Sequence, residues 1–139
     1  MKEYDEEWLA RDILQEWRWP DGVICPHCEN SDMARMGFRK SNAKASIREG
    51  LWYCYECDNQ FTITVGTAFE GTHLSMITIL KAFDLMAASE CQISARKIQM
   101  SLHIGSYRSA WNLKKRIMAD KVFWPKYEPP NLLSRRTQP

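Results

Sequence analysis

Cys25-Pro26-His27-Cys28 and, after 25 intervening residues, Cys54-Tyr55-Glu56-Cys57 are two turns of identical spacing, and their reading decides the fold of this chain. A Cys-x-x-Cys turn aims two sulfurs at one point, so two such turns supply four soft ligands for a tetrahedral zinc ion. A redox dithiol needs one pair at a helix start within a βαβ pattern, and that pattern is absent around both turns. Cys25, Cys28, Cys54 and Cys57 are therefore expected to hold one Zn2+. Four thiolates leave no open position for a catalytic water, which makes the expected ion structural. His27 lies between two ligands of a set already complete and is expected at the surface. Cys91, the fifth cysteine, is expected to be a small, buried or half-buried residue.

Working outward, the residues flanking the turns read as short strands. Gly22 precedes the first turn, Met33 to Lys40 extend away from it, and Glu49 to Tyr53 return to the second. Gln60-Phe61-Thr62-Ile63-Thr64-Val65 then alternates apolar and polar, as a half-buried strand does. Two knuckles and about three strands make a zinc ribbon over residues 22–72. A unit this small buries too little apolar surface to fold unaided, so metal is expected to supply much of its folding free energy.

The chain has 139 residues, 45% of them apolar and 26% charged, which is a globular composition. It contains no apolar run of 18 residues and no signal-peptide core at MKEYDEEW, so a cytoplasmic protein without membrane contact is expected. The net charge of +2 hides a polarity: residues 1–24 carry −4, residues 25–72 carry −1, and residues 73–139 carry +7. In the acidic head, residues 1–21, Asp5 is placed to cap a helix with Glu6 and Glu7 in its first turn. Leu9, Ile13 and Trp17 form one apolar stripe along it, and Pro20 ends it. The head is expected to pack on its neighbours, with docking of a protein partner as the sharper reading.

From Ser75 the period changes from two to 3.6. Met76, Ile79, Leu80, Phe83, Met86 and Ala87 share one face of a helix of about 14 residues. Ser94 is placed to cap a short helix through Leu102 that buries Ile98 and Leu102, and Ser106 to cap a third helix running to about Lys121. Helix, short turn and helix over residues 73–122 give the geometry of a helix-turn-helix, whose second helix enters the DNA major groove. On the third helix Ala110, Leu113 and Ile117 face the core, flanked by Trp111 and Met118. Opposite lie Arg108, Asn112 and Lys115, with Ser109 and Arg116 to one side and Tyr107 nearer the core edge. Arginine forks onto guanine, asparagine pairs with adenine, and lysine or serine holds phosphates, so these six residues are the expected contacts to double-stranded DNA. The fold class read from the whole is small α+β: an N-terminal helix, a four-cysteine ribbon and a three-helix module, with residues 123–139 as an extended tail.

The order Trp19-Pro20-Asp21-Gly22, Cys25-Pro26-x-Cys28, Tyr53-Cys54-x-x-Cys57, Phe61 and Val65-Gly66-Thr67-x-Phe69-Glu70 resembles the zinc-ribbon region of bacterial insertion-sequence transposases. Ile93-Ser94-Ala95 and Leu102-His103-Ile104-Gly105-Ser106-Tyr107-x-x-Ala110-Trp111 are similar to the helix-turn-helix that follows it there. The resemblance spans roughly residues 8 to 118 and implies binding of the terminal inverted repeats of a mobile element. His103 stands where that family often has glycine; histidine tolerates the left-handed conformation better than most residues. The family continues into an RNase H-like domain with three acidic residues around two metal ions. Asp84, Glu90 and Asp120 have helix-surface spacing and are expected to be surface charges, so no transposition chemistry is expected of these residues. The expected role is a transposase-derived DNA binder, acting as a regulator or at element ends. The alternatives are a zinc-ribbon adapter for transcription machinery or a host or phage factor, and the recognition subunit of a split transposase. Stacking of single-stranded bases on Trp52, Tyr53 and Tyr55 is the weaker use of those rings, which ribbon strands more often bury. Oligomeric state is not legible in this sequence.

Overall fold

The computed structural model describes residues 2–39 and 51–127. Helix α1 (Lys2–Arg18) is followed by a 3-10 turn (Met33–Arg35) and strands β1 (Met36–Arg39), β2 (Leu51–Cys54) and β3 (Asn59–Phe61). Then come α2 (Met76–Ala88), α3 (Ala95–Leu102), α4 (Tyr107–Ala119) and a second 3-10 turn (Trp124–Lys126). The strands form one antiparallel sheet in the order β1-β2-β3, with Phe38 opposite Trp52 and Trp52 opposite Phe61. The architecture is thus the small α+β expected, with the ribbon between an N-terminal helix and three further helices.

The period-two pattern of β2 puts Trp52 and Cys54 inward and leaves Leu51 and Tyr53 half-buried. Trp52 lies parallel to Phe61 at 6.4 Å and against Phe38 at 4.5 Å. Tyr55, by contrast, is 54% exposed, so of the three aromatic residues named above only Trp52 is core. Helix α1 begins at Lys2, three residues before the Asp5 cap expected from sequence. Its buried stripe is Ala10, Ile13 and Leu14, with Leu9 and Trp17 only partly covered. Trp8 meets Phe38 and Trp19 meets Phe61, whereas Trp17 stacks on Phe83 of α2. The helix is therefore a wedge between the ribbon and the helical half, and buried side chains from the ribbon to Phe123 belong to one core.

Glu7 makes the tie between α1 and α2 specific. Its two carboxylate oxygens accept the amides of Met76 and Ile77 at 2.9 and 3.1 Å, at a helix N-terminus that Ser75 also caps. A carboxylate there satisfies orphan donors and complements the helix dipole, and Arg11 pairs with it at 3.6 Å. Glu7, expected in the first turn of the acidic head, is thus turned into the fold.

Three further expectations are corrected. The strand expected over Gln60–Val65 stops at Phe61, and Thr62, Ile63 and Thr64 are all buried in successive turns. The cause is tertiary: the Thr62 and Thr64 hydroxyls bond each other at 3.2 Å and the Arg18 guanidinium donates to the Ile63 carbonyl, so both faces are consumed. Asp120 is buried rather than a surface charge, its carboxylate accepting the amides of Val122, Phe123 and Trp124. Residues 123–127, expected to begin an extended tail, are folded by that cap. Phe123 packs on Phe69, and Trp124 and Tyr127 pack on Phe83. Asp84 is likewise engaged, accepting the Tyr127 hydroxyl. Arg135, Arg136 and the rest of the expected tail beyond Tyr127 lie outside the described residues.

Candidate zinc centre and nucleic-acid interface

Both Cys-x-x-Cys turns fold the same way. The amides two and three residues after the first cysteine, His27 and Cys28 in one turn and Glu56 and Cys57 in the other, donate to its sulfur. The residue after each second cysteine, Glu29 (φ 65°) or Asp58 (φ 57°), takes the left-handed conformation that reverses the chain. Cys25 closes its own turn by accepting the Glu29 amide on its carbonyl and donating its amide to the Asn30 carbonyl. Two equivalent knuckles so face each other across the end of the sheet, since Cys54 ends β2 and Asn59 begins β3.

The four sulfurs lie within 4.8 Å of one another, with Cys25 to Cys57 at 3.7 Å and Cys28 to Cys54 at 3.6 Å. Zinc–sulfur bonds of about 2.3 Å give a tetrahedron with edges of roughly 3.8 Å, so one zinc ion fits this cluster. Cys25 and Cys54 are buried, while Cys28 is exposed and Cys57 half-buried, leaving one edge of the site toward solvent. Its electrostatics ask for a cation. Desolvation alone raises Cys54, but the amides of Cys57 and Glu56 and the Asn30 side chain hold it down to about 6. Burial pushes Cys25 up. The Asn30 amide lowers Cys28, yet desolvation and the neighbouring thiols push it up to about 12. Four thiols this close resist ionising together, and a dication placed among them removes the repulsion. His27 is exposed, with Nε2 3.2 Å from the Gln60 carbonyl oxygen and its ring against Phe61. It stands at the surface beside the site.

The Val65–Glu70 stretch joins ribbon to helices. Gly66, at φ +82°, donates its amide to Glu70, and a Cβ there would meet Arg18 at 3.3 Å. Thr67 accepts the Phe69 amide and donates to the Thr64 carbonyl, which points Phe69 into the core between Phe83 and Phe123.

In the helical half, Ser94 caps α3 and Ser106 caps α4, as their sequence positions predict. His103 ends α3 in the left-handed conformation, φ 55° and ψ 40°, and Ile104 behind it is buried. Ala110, Leu113 and Ile117 of α4 are buried, with Ile98 of α3. Leu102 is half-buried rather than buried, and α4 ends at Ala119, two residues before the expected Lys121. Tyr107, Arg108, Asn112 and Lys115 are exposed, whereas Ser109 and Arg116 are half-buried. Ser109 bonds the Ser106 hydroxyl at 2.9 Å, and Arg116 donates to the Glu70 carbonyl at 3.2 Å. Trp111, expected at the core edge, is 44% exposed, and the Lys115 ammonium lies 4.4 Å above its ring. The exposed surface of α4 thus carries a cation–aromatic pair, made between Lys115 of the outward row and the core-edge Trp111, beside the donors of Arg108 and Asn112.

Residues 5–60 match the family described as the transposase zinc-ribbon domain. An uncharacterized protein in the transposable element ISH50 of Halobacterium salinarum is 28% identical over 76 residues, 55% of this chain. The chain spans about a quarter of that relative's length, since the match covers 24% of it. No solved structure matches this chain. Among the described residues, no helix is long and apolar enough to cross a membrane.

Proposed function

We propose that this transposase-derived zinc-ribbon chain binds double-stranded DNA sequence-specifically, with α4 as the helix that enters the major groove. The observation that carries the reading is the exposed row Arg108, Asn112 and Lys115 on the face of α4 opposite its buried Ala110, Leu113 and Ile117. Arginine and asparagine have the forked donors and acceptors that base edges require, and the α3–α4 turn with its two serine caps is the arrangement of a helix-turn-helix. The +7 charge of residues 73–139 supports contact with a polyanion. The reading gives zinc a scaffolding role only, because four thiolates fill its coordination sphere, and it assigns the described residues no catalytic step. Placement at the ends of a mobile element, or regulation near them, is part of this proposal, and the location of the ISH50 relative within a transposable element supports a mobile-element setting.

Selection of bound sequences from random duplex DNA, with and without a chelator, tests this. Enrichment of a motif that disappears on chelation is expected, and Arg108→Ala is expected to relax preference at one position of that motif. Absence of any enrichment in the zinc-loaded protein overturns the reading.

A further inference from the structure

We propose that a groove between the loop leaving the ribbon and α4 seats a backbone phosphate of the bound duplex, with His73 and Arg116 as its donors; this rests on the DNA-binding reading above. The groove, about 160 Å³, is lined by Thr72 and His73 from the loop and by Ser109, Asn112 and Arg116 from one flank of α4. At roughly 30 Å³ per water, that is space for several solvent molecules, enough for a phosphodiester group. Every polar side chain lining it offers an N–H or O–H, and no carboxylate lines it. Glu70, just before this loop, has its carboxylate engaged by the Gly66 amide.

Two features make the groove a built site. Arg116, which lines the groove, spends one N–H on the Glu70 carbonyl, an anchor that leaves its other donors unclaimed among the described residues. The loop is fixed as well: the Thr72 hydroxyl accepts the Leu74 amide, and the Thr72 amide donates to the Phe69 carbonyl at 3.0 Å. His73 is exposed between these anchors. Asn112 belongs both to this groove and to the outward row with Arg108, so a phosphate held here lies beside the bases that α4 faces. The ribbon's exit loop then sets the register of α4 on the duplex, a part that phosphate contacts characteristically play.

Ethylation interference and salt-dependent duplex affinity, measured on the zinc-loaded full chain, test the assignment. His73→Ala is expected to weaken binding roughly twofold to tenfold, the worth of one hydrogen bond, equally for preferred and scrambled duplexes. One phosphate whose ethylation blocks the wild-type protein should become indifferent in His73→Ala, and His73→Gln, which keeps a donor, should restore most of the affinity. Arg116→Gln should reduce the slope of log affinity against log salt by about one. If Arg108→Ala changes base preference while His73→Ala leaves affinity and interference at wild-type values, the phosphate seat is overturned and the DNA-binding reading stands. If His73→Ala shifts base preference instead, His73 reads a base and the seat is equally overturned. A wild-type chain that binds no duplex removes both.

Discussion

The ribbon and the helical half hold their shapes by different means. Among the described residues between Val23 and Phe61 the secondary structure amounts to a 3-10 turn and three strands of three or four residues, organised around four sulfurs at tetrahedral spacing. From Met76 to Ala119 three helices with serine caps enclose Ile79, Leu80, Phe83, Met86, Ile98, Leu113 and Ile117, all nearly or wholly buried. The first region is organised around a ligand site, the second around apolar surface. They are joined by α1, whose two faces pack on both, so each can be perturbed while the other serves as the reference.

Removing the metal gives the largest expected effect. Structural zinc supplies an apparent 10–16 kcal/mol, roughly, in units of this size, far more than three short strands can replace. Chelation, or Cys54→Ser, is expected to strip hydrogen-exchange protection from the amides of β1 to β3 while those of α4 stay protected. Loss of α4 protection in the same step would break the comparison and make the chain one cooperative unit.

Ile117→Ala is the converse experiment. Ile117 is wholly buried, and truncation there is expected to destabilise the helices by about 2–5 kcal/mol. Zinc affinity, read by competition with a colorimetric chelator, should stay close to wild type. A matching fall in zinc affinity would show that the ribbon borrows its shape from the helices.

Glu7→Gln tests the joint between the two. The carboxylate bonds to Met76 and Ile77 are charge-assisted, and the neutral amide loses the charge, keeps a single acceptor oxygen and turns an NH2 donor toward the other backbone N–H, so a loss of about 1–3 kcal/mol in global stability is expected from denaturant unfolding. An unchanged midpoint would mean that Ser75 alone caps α2 and that α1 contributes packing only.

The same division separates what is legible in the sequence from what is not. Cys-x-x-Cys spacing fixes a knuckle locally, and Ser94 and Ser106 cap within three residues, so the metal ligands and the starts of α3 and α4 are readable from short windows. Thr62–Val65 misleads because its alternation is answered by Arg18 from α1, 45 residues away, which no window contains. Glu7 and the α2 amides are 69 and 70 residues apart, and Arg116 and the Glu70 carbonyl 46 apart. Asp120 is a different failure: a buried aspartate capping three amides has the same spacing as a solvated one, and only the aromatic cluster behind it distinguishes them. The outward row of α4 is legible as a face, but the Lys115–Trp111 pair is not, since it requires knowing that Trp111 lies outside the core.

The smallest expected effect concerns Tyr127, at the far edge of the helical core. Its ring packs on Trp17, Phe83 and Trp124, and its hydroxyl donates to Asp84 of α2. Burial first, and then the Asp84 carboxylate, raise its pKa well above the ordinary phenol value of about 10. A group whose pKa is raised by folding binds its proton more tightly in the native state. The resulting stability is therefore complete below about pH 10 and is lost as pH climbs toward the raised value. Tyr127→Phe keeps the ring and removes the hydroxyl, so it should lower stability by about 1 kcal/mol at pH 8, and the gap to wild type should narrow by pH 11. Urea unfolding at the two pH values measures it. A gap that stays constant would place the hydroxyl in solvent rather than on Asp84, and the aromatic cluster alone would then hold residues 123–127 against the helices.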